Sequence, residues 1–172
     1  MVFVNRPDVS RPVAWLYGIV LVFILLLVLL FSYAAFFTPL GVGGMIASLV
    51  LAFVGTVILL ILLSLYRTRY ILTERDLIIK TSMLIGGGKT IALSDVKTVE
   101  KVMIPFGIRL FGASFHGGYY YVPNLGKAFL SITNFKDGLL IKTDEKNYII
   151  TPSDPTEFKA LMEKSLTAIP TG

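Results

Sequence analysis

Two regimes of hydrophobic patterning divide this chain, and the boundary between them falls at Arg67. Between Arg11 and Arg67 no residue is charged, and the 55 intervening positions are overwhelmingly aliphatic, aromatic or small. About 20 residues of helix cross the roughly 30 Å of a bilayer core, so one unbroken helix of this length would overshoot it widely. The run must fold back. Thr38-Pro39-Leu40-Gly41-Val42-Gly43-Gly44 is the natural break, because one proline and three glycines divide two aliphatic stretches without adding polar length. The pattern predicts a transmembrane helical hairpin over residues 13–66, with helices at about 13–37 and 45–66. A cleaved signal has a shorter apolar region ending in small residues, whereas Leu21 to Phe31 runs on into further apolar sequence, so both helices are expected to persist.

Beyond Arg67 the period becomes that of strands. Arg69 to Thr73 and Leu77 to Thr81, both rich in β-branched and aliphatic residues, flank the polar turn Glu74-Arg75-Asp76 and predict a β-hairpin. Gly86-Gly87-Gly88 leads into Lys89 to Leu93, and Ser94-Asp95 turns the chain again before Val96 to Ile104. Three more strands are predicted at Ala128 to Thr133, Leu139 to Thr143 and Tyr148 to Thr151, separated by turns at 134–138 and 144–147. The pattern then turns helical. Ser153-Asp154-Pro155-Thr156-Glu157 supplies a cap, a first-turn proline and an acid at the positive helix end, and Phe158, Leu161, Met162, Ser165 and Leu166 fall on one face. The expected organisation is an N-terminal segment at 1–12, the hairpin, and one α+β domain at 67–172 with about seven antiparallel strands and one closing helix.

Charge adds orientation. Arg6 and Arg11 precede the first helix, Arg67, Arg69 and Arg75 follow the second, and the connecting turn is uncharged, so both termini are expected on the cytoplasmic side of the cell membrane. Trp15, Tyr17 and Tyr66 stand where aromatic rings settle among headgroups. The net charge of +5 suits an anionic leaflet, and without a basic cluster or recognition-helix pattern it gives no reason to expect nucleic-acid binding. With no cysteine and a single histidine, disulfides, thiolate sites and a His-pair metal centre are excluded, and no cofactor is expected. The spans hold no ionisable pair for an ion path. Gly86-Gly87-Gly88-Lys89-Thr90 lacks the first glycine of a phosphate loop, and a strand, not a helix, is expected after it.

Three segments carry a family resemblance. Tyr70-Ile71-Leu72-Thr73-Glu74-Arg75-Asp76-Leu77-Ile78-Ile79, Thr90-Ile91-Ala92-Leu93-Ser94-Asp95-Val96-Lys97-Thr98-Val99 and Tyr148-Ile149-Ile150-Thr151-Pro152-Ser153-Asp154-Pro155-Thr156-Glu157-Phe158 resemble, in order and spacing, the bacterial and archaeal PH-domain membrane proteins found with transmembrane hairpins. The resemblance covers most of 67–168 and implies a pleckstrin-homology-like fold: strands in a meander forming a bent sheet or partly open barrel, one end plugged by the C-terminal helix. Fold does not carry function with it. Eukaryotic relatives often bind phosphoinositides through a basic loop between the first two strands; here that loop is Glu74-Arg75-Asp76, two acids around one base, which sets that reading aside.

Candidate contacts lie elsewhere. Residues 105–126 interleave Phe106, Phe111, Phe115 and Tyr119, Tyr120 and Tyr121 with five glycines, and their only formal charge is Arg109. So apolar an insert must lie against something. Either it packs over the sheet's open end or adds strands to it, or its aromatics, with Arg109 and His116, form a partner, ligand or headgroup surface. Arg67, Arg69 and Arg75 are further lipid-contact candidates, although positive-inside topology also accounts for them. In the second helix Gly44, Ser48, Ala52 and Thr56 recur every four residues, with Gly55 adjacent, a stripe for packing against the first helix, a second copy or another membrane protein. No paired acids, nucleophile motif or phosphate cradle accompanies these features. The expected protein is non-enzymatic, with its PH-like domain binding or scaffolding a protein partner at the membrane surface; anionic-lipid sensing or an accessory-subunit role are the alternatives.

Overall fold

Proline and glycine at 38–44 do turn the apolar run back on itself. In the computed structural model, which describes residues 2–7, 9–39, 41–82, 87–114 and 116–168, the chain forms two units. One is Arg11–Leu63; the other joins Met1–Ser10 to Ser64–Gly172.

The first unit is built from α1 (Arg11–Phe37) and α2 (Gly41–Tyr66), each long and apolar enough to cross a membrane. The second helix begins four residues earlier than the glycines suggested. Gly41 takes the left-handed turn at φ +40°, and Gly43 and Gly44 then continue as helix. Glycine in a helix costs about 1 kcal/mol relative to alanine, but an unsatisfied backbone in hydrocarbon costs several, so the helix extends. Gly44 also permits close approach: a Cβ there would lie 3.0 Å from the Cα of Ala35. Ser48 Oγ donates to the Val28 carbonyl at 3.0 Å and shares a hydrogen bond with Ser32 Oγ at 2.5 Å.

In the second unit, β1 (Phe3–Asn5), β2 (Arg69–Leu72), β3 (Asp76–Lys80) and β4 (Lys89–Ala92) form an antiparallel sheet in that order. A 3-10 turn at Leu93–Asp95 leads to the larger sheet, made of β5 (Val96–Met103), β6 (Ile108–Ser114), β7 (Gly117–Val122), β8 (Gly126–Ser131), β9 (Asp137–Thr143) and β10 (Asn147–Ile150). Its strand order is β5-β9-β10-β8-β7-β6, and α3 (Pro155–Thr167) closes the chain.

Ten strands are thus described where about seven were expected. All seven predicted strands are present within two residues at each end. The additions are β1, only three residues long, and β6 with β7, whose apolar residues on both faces and interspersed glycines hide the period-two signal. Of the predicted turn at 86–88, Gly86 lies outside the described residues, as does Phe115. Nor is the larger sheet a pure antiparallel meander: β10 inserts between β8 and β9, parallel to β8 and antiparallel to β9. Ile149 and Ile150 are both fully buried, and a strand covered on both faces belongs in the interior of a sheet.

Alternation sets the main core. Tyr70, Leu72, Leu77, Ile79 and Ile91 point inward from the small sheet, meeting Val99, Phe129, Leu139, Ile141 and Ile150 from the large one and Phe158 and Met162 from α3. Phe3 of β1 pairs with Leu72 and packs against the Phe158 ring at 6.0 Å, so the N-terminal segment is part of this core. The two sheets are also tied by a polar contact: the buried Tyr70 hydroxyl donates to the Ser131 carbonyl at 2.8 Å and lies 3.4 Å from the Thr151 amide. Asp154 caps α3, its carboxylate accepting from the amides of Thr156 at 2.8 Å and Glu157 at 3.0 Å, and these bonds hold its carboxyl below the usual aspartate range.

The large sheet has a second core on its other face, where Tyr120, Val122, Ala128, Leu130, Ile132, Leu140 and Ile149 are buried with Val102, Ile104 and Leu125. A connection of four residues, 104–107, links β5 to β6 at opposite edges of the sheet. Laid flat, six strands would separate those edges by about 24 Å. Five Cα steps reach at most about 18 Å. The sheet therefore curls around this core, with Ile104 crossing over Gly138, where an added Cβ would lie 2.8 Å from Ile104 Cδ1 and 2.9 Å from the Ile150 carbonyl oxygen.

Candidate recognition edge

Strand β6 is one edge of the large sheet, β5 being the other, and its sequence is unusual for an edge. Strands at sheet margins are ordinarily blunted by charge. Here Ile108, Leu110 and Phe111 are exposed, joined by Met103 at the end of β5, by Phe106 from the crossing connection and by Tyr121 from β7. Phe106 is 98% exposed, Met103 82%, Phe111 76% and Ile108 73%, values at which the rings and chains meet solvent almost wholly. So concentrated an apolar surface marks a contact.

Register explains how consecutive residues are exposed together. Ile108 pairs with Tyr121 and Arg109 with Tyr120, but Phe111 pairs with Tyr119, so the ladder shifts across Leu110 and shifts again before Ser114. A bulge of this kind bends the strand and redirects side chains that alternation would send inward. Arg109, half-buried opposite Tyr120, lies on the other face of the strand from Ile108 and Phe111, which pair with Tyr121 and Tyr119. Burial raises the Tyr120 phenol above its ordinary pKa, and the Arg109 charge acts in the opposite direction.

The residues singled out from sequence are dispersed. Arg67, Arg69 and Arg75 are exposed on or beside the small sheet, away from β6 in the strand order. His116 is buried beside the β6–β7 turn, with Nδ1 3.2 Å from the Ile132 carbonyl oxygen and its ring 5.6 Å from Phe135; burial lowers its pKa below the ordinary histidine value. The three tyrosines divide. Tyr119 packs on the main core edge-on to Phe129 with the Lys89 ammonium 5.4 Å from its ring, Tyr120 enters the second core, and Tyr121 is exposed beside Ile108. Of these residues, Arg109 lies in the edge strand and Tyr121 is exposed beside it.

In the helical unit Gly44 and Ser48 lie between the helices and Gly55 approaches Ile24, while Ala52 and Thr56 are exposed, the Thr56 hydroxyl donating to the Ala52 carbonyl. A four-residue repeat advances about 40° past a full turn at each step, so a strict stripe leaves the contact face within three steps. Met103, Ile108 and Leu110 were missed because an apolar residue in a strand is ordinarily core, and nothing local says that this strand is an edge. Among the described residues no group of three His, Asp or Glu side chains is placed to hold a metal.

Comparison with known proteins agrees with the strand-rich unit: the family model described as Bacterial PH domain matches residues 68–166. No curated protein and no solved structure matches the chain.

Proposed function

The chain belongs to the bacterial PH-domain family, and from that premise we propose that it is a non-enzymatic integral membrane protein whose PH-like domain is a binding module held at the bilayer surface. PH domains are generally non-catalytic binding modules. The observation that carries the reading is the exposed apolar edge made by β6 and the 104–107 connection, the largest concentration of exposed apolar side chains among the described residues of this domain.

The anchor supports the same reading. Residues ahead of α1 form β1, which pairs with β2 just beyond α2, so both ends of the helical pair feed one sheet. With α1 and α2 as spans, the two ends lie on one face of the membrane, and the flanking arginines favour the cytoplasmic face. Only Arg67 and Thr68 separate α2 from β2, a reach of roughly 10 Å. Tethering this short gives any membrane-surface contact a high effective concentration, so a modest recognition surface suffices.

A photo-reactive residue in place of Phe111, compared with one in place of exposed Ala160 on α3, tests the reading in native membranes. Adducts are expected at position 111 and not at 160. Equal, background-level capture at both positions would remove β6 as the recognition surface. A second reading, an extended protein segment added along β6, draws on the unpaired main chain that any sheet edge presents.

A further inference from the structure

We infer that the occupant of the β6 edge is the interfacial zone of an anionic leaflet, with Phe106, Ile108 and Phe111 entering the headgroup region and Lys127 meeting lipid phosphate. The inference rests on the reading of the domain as a membrane-surface binding module and names what the module binds.

Backbone geometry disfavours a peptide strand there. Strand addition needs a regular row of donors and acceptors, and β6 is interrupted by two register shifts, after Arg109 and after Phe111. Pro105 removes a further donor just ahead of it. Phe106 stands at a connection and is 98% exposed. Aromatic and aliphatic tips of this kind, carried beside a cation, are what an amphipathic surface offers to the headgroup boundary.

Charge complements the leaflet. From Lys101 to Lys136 the chain holds Lys101, Arg109, Lys127 and Lys136 and no acid. Lys127 is exposed in β8 opposite Tyr121, which in turn pairs with Ile108, so its side chain shares the face of Ile108 and Phe111, whereas Arg109 shares the face of Tyr120. Asp137, paired with Met103, is the nearest acid in the register. Basic groups next to exposed apolar ones draw the edge towards negative lipid, and each Lys or Arg near such a surface shifts the docked-to-free ratio about fivefold.

The chain has no cysteine, so a single reporter is straightforward. Full-length Phe106→Cys and, as control, Ala160→Cys are labelled with an environment-sensitive fluorophore. Each is placed in nanodiscs of phosphatidylcholine with or without phosphatidylglycerol, with spin-labelled lipid as quencher near the headgroups. Quenching at position 106 and not at 160 is expected in anionic discs. The docked-to-free ratio should fall about fivefold on adding Lys127→Gln. It should also fall in 1 M salt, where the Debye length is about 3 Å.

Equal quenching at both positions overturns the inference. So does shielding of position 106 that arises only in native membranes together with a protein adduct, or only as the number of copies per disc rises. Alkaline carbonate extraction reads the premise separately. Release of the protein from membranes would defeat the anchored reading itself, whereas retention with equal quenching would defeat only the lipid assignment.

Discussion

Tyr70 shows how one side chain can bind two sheets. Its ring fills the main core while its hydroxyl serves Ser131 and Thr151, and burial raises its pKa. Tyr70→Phe keeps the ring and leaves those partners dry, so urea denaturation of the full chain in detergent, followed by pulse proteolysis, should show a loss of about 1–3 kcal/mol. His116 gives a pH signature. Its folded pKa lies below the ordinary value of about 6.5, so at lower pH the unfolded chain binds more protons and stability falls. The loss starts below about pH 6.5 and ends once pH has fallen through the folded-state pKa. Between pH 6.5 and 5.5 this one group contributes at most about 1.4 kcal/mol. His116→Gln should flatten the wild-type slope over that window in the same proteolysis measurement; parallel slopes would show that burial does not control the imidazole. Neither role was legible beforehand. Tyr70 was one residue of a strand, and His116 was one polar group in an aromatic insert, until distant segments supplied Ser131, Thr151 and Ile132.

Elements were more legible than their neighbours. The helix cap at Asp154, the inward face of α3 and the seven regular strands follow from local spacing, because capping and alternation are written in adjacent residues. Helix contact is different, since it depends on which glycine faces a backbone. A Cβ on Gly44 would lie 3.0 Å from the Ala35 Cα, and one on Gly43 would meet nothing within 4 Å. Gly44→Val should therefore loosen the pair and Gly43→Ala should not. Disulfide crosslinking between cysteines introduced at Ser32 and Ser48 reads this: the yield should drop only with the Gly44 substitution, and equal yields would deny a tight contact at Gly44. The strand β1 was invisible for another reason: three residues carry no period, and only pairing with β2 and the Phe3–Phe158 contact define it.

At the scale of the molecule, β1 and β2 join the two ends of the helical pair to one sheet. If α1 and α2 span, the N-terminal strand and the PH-like domain share a side of the membrane. With impermeant maleimide in sealed, oriented vesicles, cysteines introduced at Val2 and Glu145 should label together from the cytoplasmic face, and one at Gly43 only from the opposite face. Labelling of Val2 and Glu145 from different faces would contradict both the spans and the β1–β2 pairing. The same scale governs the recognition edge, since β6 is a margin because β5, the strand before it, pairs with β9 at the far side of the sheet and not with β6.

The sequence by itself determined the uncharged helical pair, its break, the seven alternating strands, the capped closing helix and the family, because each depends on the character and spacing of residues close along the chain. The insert at 105–126 was legible as something that must contact another surface, since its composition is too apolar for a solvated loop. Tertiary structure decided the rest. It paired residues 3–5 with a strand more than sixty positions away, buried His116 and Tyr120, separated the arginines at 67, 69 and 75 from Arg109, and exposed Ile108, Leu110 and Phe111. The physical reason is that a strand's apolar residues are identical in sequence whether the next strand covers them or none does; edge and centre are properties of the sheet.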